Sequence, residues 1–161
     1  MNSGLVMYEE EARQIAAICD RLTREANAKV VFLVDKNGQL IAASGQAQNL
    51  DTTSLASLTA GNVAAMGGLA KLIGEKEFPT QFHEGERDSL HMSIVAGRVV
   101  LVVIFDARSS LGLVRLRVKR AGEELARVFE ALTVRQATAG AQSPFAEITD
   151  DDIDHLFGES S

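Results

Sequence analysis

Two runs in this chain, VVFLV (30–34) and VVLVVIF (99–105), are apolar at every position. Side chains alternate between the two faces of a strand, so a strand with one wet face alternates polar and apolar residues. Neither run alternates. Each must therefore be covered on both faces, which places the two at the centre of a sheet with helices above and below.

The remaining elements assemble around these runs. KVVFLVD (29–35), the turn KNG (36–38) and QLIAASG (39–45) form a β-hairpin with a glycine-closed loop. FPTQFHE (78–84), DSLHMSIVA (88–96) and RVVLVVIFD (98–106) read as three more strands, with Ala96-Gly97 as the tight turn between the last two. Pro79 lacks an N–H, so its strand belongs at an edge, and an uncovered edge suits pairing with a second copy through Phe78, Thr80 and Phe82.

Helical periodicity marks residues 5–25, through Tyr8, Ala12, Ile15, Cys19 and Leu22. A second helix runs from caps at Asp51, Thr52 and Thr53 to Gly74. A third starts near Ser109 or Ser110 with Leu111, Val114, Val118, Ala121, Leu125, Val128 and Leu132 on one stripe; the alternation in LVRLRV leaves its first turns open between helix and strand. The expected fold is α/β (α+β), in the order α-β-β-α-β-β-β-α, with a five-stranded antiparallel sheet between helices. It occupies residues 1–135. QATAGAQSP (136–144) reads as a flexible linker before the tail FAEITDDDIDHLFGESS, so residues 136–161 stand apart.

Composition narrows the function. At 161 residues and 46% hydrophobic, the chain suits one domain with one core. A net charge of −6 with a pI near 5.1 disfavours nucleic acid and anionic membranes as partners. No apolar run reaches the roughly 18 residues of a membrane span, and MNSGLVMYEEEA has no signal-peptide pattern, so a cytoplasmic protein is expected. The lone Cys19, in IAAICDRL, reads as a buried small hydrophobe.

Chemistry-bearing groups do not converge. His83, His91 and His155 are scattered, and no metal-binding spacing occurs, so neither a metal nor a cofactor is expected. Asp35 and Asp106 end the two central strands and read as turn or cap residues, although pairing of those strands could bring them together. Arg108, Arg115, Arg117 and Arg120 cluster near the third helix's start; a solvated face explains them better than an arginine finger. There is no Walker A motif, no GxGxxG and no nucleophile elbow. The expectation is a protein without an active site of its own.

The second helix is the anomaly. TAGNVAAMGGLAKLIG (59–74) holds Gly61, Gly67 and Gly68 inside a helix, each costing about 1 kcal/mol relative to alanine. On a helical wheel Leu55, Leu58, Met66, Leu69 and Ile73 fall on one side, expected to dock on the sheet, with Asn62 among them in a buried hydrogen bond. Ser57, Ala60, Ala64, Gly67, Gly68 and Lys71 fall opposite. So bare an outer face lets another backbone approach closely, and Ala60, Gly61, Ala64, Gly67, Gly68 and Lys71 are the expected partner-binding residues.

These features, with the segments KVVFLVDKNGQLIAASG, TTSLASLTAGNVAAMGGLAKLIGE and VVLVVIFDARSSLGLVRLRV, resemble the Roadblock/LC7 family over essentially the whole chain. The likeness is to its bacterial members that regulate a small Ras-like GTPase (MglA-type) in gliding motility and cell polarity. It implies a homodimer with edge strands joined into one sheet and second helices side by side, gripping one GTPase per dimer. It also implies GTPase activation by repositioning the GTPase's own residues without an arginine finger, nucleotide and Mg belonging to the GTPase, and residence in the cytoplasm, concentrated at a cell pole.

In the tail, Thr149 can cap a turn begun by Asp150, Asp151 and Asp152, with Ile153, Leu156 and Phe157 on one face. The resemblance implies that this segment, Phe145, Ile148, Ile153, Leu156 and Phe157, touches the GTPase away from its switches and favours nucleotide exchange; an acidic solubility tail is the plainer reading. Two alternatives stand beside GTPase activation. One is a scaffold that binds a GTPase or polarity protein without activating it. The other is a small-molecule sensor of PAS or GAF type, which the dense Val/Leu strands disfavour because it needs a pocket.

Overall fold

The structure is a computed structural model and describes residues 7–142. Its elements are α1 (Glu9–Glu25), β1 (Val30–Asp35), β2 (Leu40–Gly45), α2 (Thr52–Leu72), β3 (Thr80–Glu84), β4 (Ser89–Val95), β5 (Val99–Phe105) and α3 (Leu111–Gln142). The five strands form one sheet in the order β2-β1-β5-β4-β3, antiparallel throughout. The two fully apolar runs are the inner neighbours β1 and β5, as their double-sided hydrophobicity requires, and β3 lies at an edge beside Pro79. β2 forms the other edge.

Helices α1 and α3 cover one face. Ile15, Cys19, Leu22, Leu125, Phe129 and Leu132 meet Val31, Leu33, Leu101 and Val103 there in the larger core. Complete burial of each Leu or Phe in it contributes about 1.5–3 kcal/mol. The α1 stripe differs by one position from the periodic reading: Glu11 and Ile18 are buried, while Ala12 is exposed. Glu11 is held by Arg135, whose Nη1 donates to Oε1 at 2.7 Å, and the same guanidinium lies 4.2 Å over the Tyr8 ring. Further along the same two helices, Arg21 of α1 pairs with Glu124 of α3. Cys19 is buried, and desolvation with the nearby Asp20 charge pushes its thiol up to about 12, so it packs as a hydrophobe.

The opposite face carries α2 over Val30, Phe32, Val34, Met92, Val100 and Val102. The helix starts at Asp51, whose carboxylate accepts from the Ser54 N–H at 3.1 Å. It ends with Gly74 at φ +85°, where Gly74 N–H reaches Lys71 O and Glu75 N–H reaches Ala70 O, the paired bonds of a left-handed helix terminus.

Three sequence expectations change. Phe78 lies outside the edge strand, because ladder pairing begins only after Pro79, whose carbonyl accepts from Ile94 N–H at 2.9 Å. Asp35 and Asp106 are not neighbours: β1 and β5 do pair, but antiparallel, with Asp35 opposite Val99 and Val30 opposite Ile104. Each serves locally, Asp35 Oδ1 accepting from the Asn37 and Gln39 N–H groups and Asp106 Oδ1 from the Arg108 N–H. Finally, α3 is helical from Leu111, which settles the LVRLRV ambiguity, and continues to Gln142 through residues read as linker. Ala137, Ala139 and Ala141 supply the helix propensity that a small-polar reading overlooks.

Candidate functional site

Within α2 only Ala56, Thr59 and Ala70 are fully buried. With the half-buried Val63 and Met66 they form a seam at three- and four-residue spacing against the sheet. With these mostly small residues on the sheet side, the large ones fall elsewhere. Leu58, Leu69, Leu72 and Ile73 are therefore exposed, at 72%, 45%, 85% and 63%. This corrects the wheel reading that docked Leu58, Leu69 and Ile73 on the sheet. Side-chain size alone points the large residues inward, whereas the residues α2 buries are the small Ala56, Thr59 and Ala70.

A second seam runs along the outside. Leu58, Gly61, Ala65, Gly68 and Leu72 repeat the same spacing and are all exposed. Ala64 and Lys71 are exposed beside it, whereas Ala60 and Gly67 are half-buried toward a groove of about 220 Å³ shared with Lys36 and Phe78. The expected partner-binding set thus divides: Gly61, Ala64, Gly68 and Lys71 look outward, while Ala60 and Gly67 look along the helix flank. Sequence reasoning missed Leu58, Ala65 and Leu72; the two interleaved seams, 56-59-63-66-70 and 58-61-65-68-72, are the signal that finds them.

The glycines of this helix have no internal purpose. A Cβ added at Gly61, Gly67 or Gly68 meets nothing within 4 Å, so the protomer's own packing does not require their smallness. Asn62 also departs from expectation. Its Oδ1 is buried without a hydrogen-bond partner among the described residues, so the buried bond foreseen for it is not made by that atom. It sits beside Leu55, Leu58 and His83, between α2 and the edge strand β3. Thr80 and Phe82 of that strand are exposed or nearly so, and the Phe82 ring stacks on Phe105 with centroids 6.2 Å apart.

The seven-element frame from α1 to β5, with its strand order and its α2 set across one face of the sheet, is matched by the Roadblock/LC7 domain model over residues 14–105, more than half the chain. The chain belongs to the Roadblock/LC7 family. Among solved members, MglB of Myxococcus xanthus is 76% identical, with 80% of this chain and 96% of that one covered and a TM-score of 0.76. The gliding protein MglB of Thermus thermophilus is 34% identical over 81% of this chain and 99% of its own, also at 0.76. A further MglB structure, described as having a tetrameric arrangement, is 34% identical over 82% and 99%, again at 0.76.

Among the described residues no three His, Cys, Asp or Glu side chains gather as a metal site. His83 is exposed beside Gln81, and His91 is buried on the opposite face of the sheet from α2. Arg108, in the turn before α3, is engaged with Asp106, and Arg120 with Glu124. Arg115 and Arg120 lie on the solvated face expected for them, whereas Arg117 is half-buried, its Nε without a hydrogen-bond partner among the described residues. No helix among the described residues is long and apolar enough to cross a membrane. The tail residues Phe145, Ile148, Ile153, Leu156 and Phe157, with His155, lie outside the described residues.

Proposed function

We propose that this chain is a homodimeric activator of a small Ras-like GTPase of the MglA type, serving bacterial polarity and gliding motility. The observation that carries the proposal is the outward seam of α2. Three interior glycines weaken the helix while relieving no contact inside the protomer, and four large apolar residues beside them are left wet. A helix apolar on opposite faces is built to be covered on both. The likeness to MglB supplies the class of partner.

Dimerisation joins two copies at the β3 edge, which brings the two α2 helices side by side and presents Gly61, Ala64, Gly68 and Lys71 to one GTPase. The dimer brings no catalytic group. It acts by holding the GTPase's own switch residues in line with the terminal phosphate, a positioning effect, while nucleotide and Mg stay with the GTPase. The tail segment from Phe145 to Phe157 forms a second contact away from the switches and favours nucleotide exchange. The protein works in the cytoplasm, at a cell pole.

The test is GTP hydrolysis by the cognate GTPase with and without this protein. Ala64→Arg with Gly68→Arg places two long cations on the exposed seam, and the pair is expected to leave a folded dimer that no longer binds or stimulates. Stimulation undiminished by the double substitution overturns the assignment of this face. Binding without stimulation by the native protein supports a scaffold instead.

Removal of residues beyond Gly140 is expected to preserve the dimer and weaken the GTPase complex. Equal affinity of full-length and truncated protein excludes the role of the tail.

A further inference from the structure

On the face of the sheet opposite α2, β4 and α3 enclose a groove of about 500 Å³, within the range of small-molecule sites. His91 and Ser93, two residues apart on β4, form its floor and are 3% and 8% exposed. His91 lies in register between Phe82 and Val103, and Ser93 between Thr80 and Leu101. His91 Nδ1 and Ser93 Oγ are both buried without a hydrogen-bond partner among the described residues. Buried polar atoms are nearly always paired, so two orphans side by side in one groove need a reason.

Arg115 and Lys119 line the same groove from α3. They are like charges at i and i+4, a spacing that disfavours a helix, and neither joins an ion pair among the described residues. The Arg115 charge adds to desolvation in holding the His91 imidazole below its ordinary pKa, so the floor is neutral and either ring nitrogen can donate. Val95 and Val118 give the groove its apolar walls, and Glu123 stands on its rim.

We propose that this groove is a binding site for a small monocarboxylic acid with a short aliphatic body. The carboxylate oxygens accept from Ser93 Oγ–H, the His91 ring N–H and the cations of Arg115 and Lys119; the aliphatic body lies on Val95 and Val118. Two cations against one acid leave a single net positive charge, matched to a monocarboxylate rather than to a phosphate dianion. The site shares no residue with α2, although Thr80 of the β3 edge also lines it.

Isovalerate is the probe, titrated into the isotope-labelled full-length protein and followed by amide and imidazole NMR signals, with isovaleramide and inorganic phosphate in parallel. Expected are saturable shifts centred on His91, Ser93 and Gly122 with the acid, and binding weaker by roughly tenfold or more in Arg115→Gln with Lys119→Gln. Both substituted side chains are exposed, so the variant keeps its fold. Ser93→Ala is expected to weaken binding without moving the dimer mass or stimulation of the GTPase. The proposal is overturned by no saturable shift, by equal binding of acid and amide, by phosphate binding as tightly as the acid, or by an unchanged affinity in the Arg115/Lys119 variant.

Discussion

Gly45 closes β2 at φ +90°, and a Cβ built there would stand 2.3 Å from Lys29 O. That carbonyl is already committed, accepting the Gln46 N–H at 2.8 Å. Neither the backbone angle nor the neighbour can yield cheaply, so Gly45→Ala is expected to cost about 2–3 kcal/mol, read as a lower urea midpoint at unchanged m. The contrast with Gly61, Gly67 and Gly68 is the point. One glycine is demanded by its own chain and three are not, although all four are the same letter in the sequence. Asp51 shows the opposite case, where a capping role legible in the sequence is made by a single carboxylate on Ser54 N–H.

At the level of elements, α2 is held by small residues and α3 by large ones. Because open space surrounds each α2 glycine, Gly61→Ala and Gly68→Ala should each stabilise the protomer by about 0.5–1 kcal/mol in urea denaturation. The same substitutions crowd the outward seam, so they are expected to weaken the GTPase complex while raising stability. A loss of protomer stability would mean that the glycines serve the fold after all. The packing of α1 against α3 rests partly on charge. The hydrogen bond and charge of Arg21 hold the Glu124 carboxyl below its ordinary 4.5. A carboxyl whose folded pKa is depressed contributes stability that is complete above the unfolded value and lost as pH falls through the folded one.

For the whole molecule the shifted groups that titrate below neutrality act in one direction. His91 is a base held below 6.5 by burial and by Arg115, so the unfolded chain binds its proton first and stability also falls as pH drops through that window. Stability is therefore expected to decline steadily from about pH 7 into the acid range. His91→Gln should flatten the upper part of the decline and Glu124→Gln the lower part, each followed by urea midpoint against pH. A rise in stability on acidification would contradict both assignments. The two faces of the sheet also differ in kind: α1 and α3 seal a deep core, whereas α2 covers a thin one and keeps its outer seam exposed. The molecule is asymmetric because α2 buries a narrow seam of small residues and leaves Leu58, Leu69, Leu72 and Ile73 exposed.

VVFLV and VVLVVIF alone determined that the sheet has helices on both sides and which strands are central, because burial on both faces leaves no other place for such runs. Pro79 determined the edge, since a missing N–H is a local fact. The turns at Gly38 and Ala96-Gly97 and the end of α2 at Gly74 were equally legible, being set by backbone angles within a few residues. Which way α2 faces was not. Its sheet-side seam of Ala56, Thr59, Val63, Met66 and Ala70 and its outward seam of Leu58, Gly61, Ala65, Gly68 and Leu72 have the same spacing, and only burial in the folded chain distinguishes them. The groove of His91, Ser93, Arg115 and Lys119 joins residues from β4 and α3 that no sequence interval connects. Local rules name elements and their ends, while the orientation of a helix and the meeting of distant side chains are decided by packing between elements far apart in sequence.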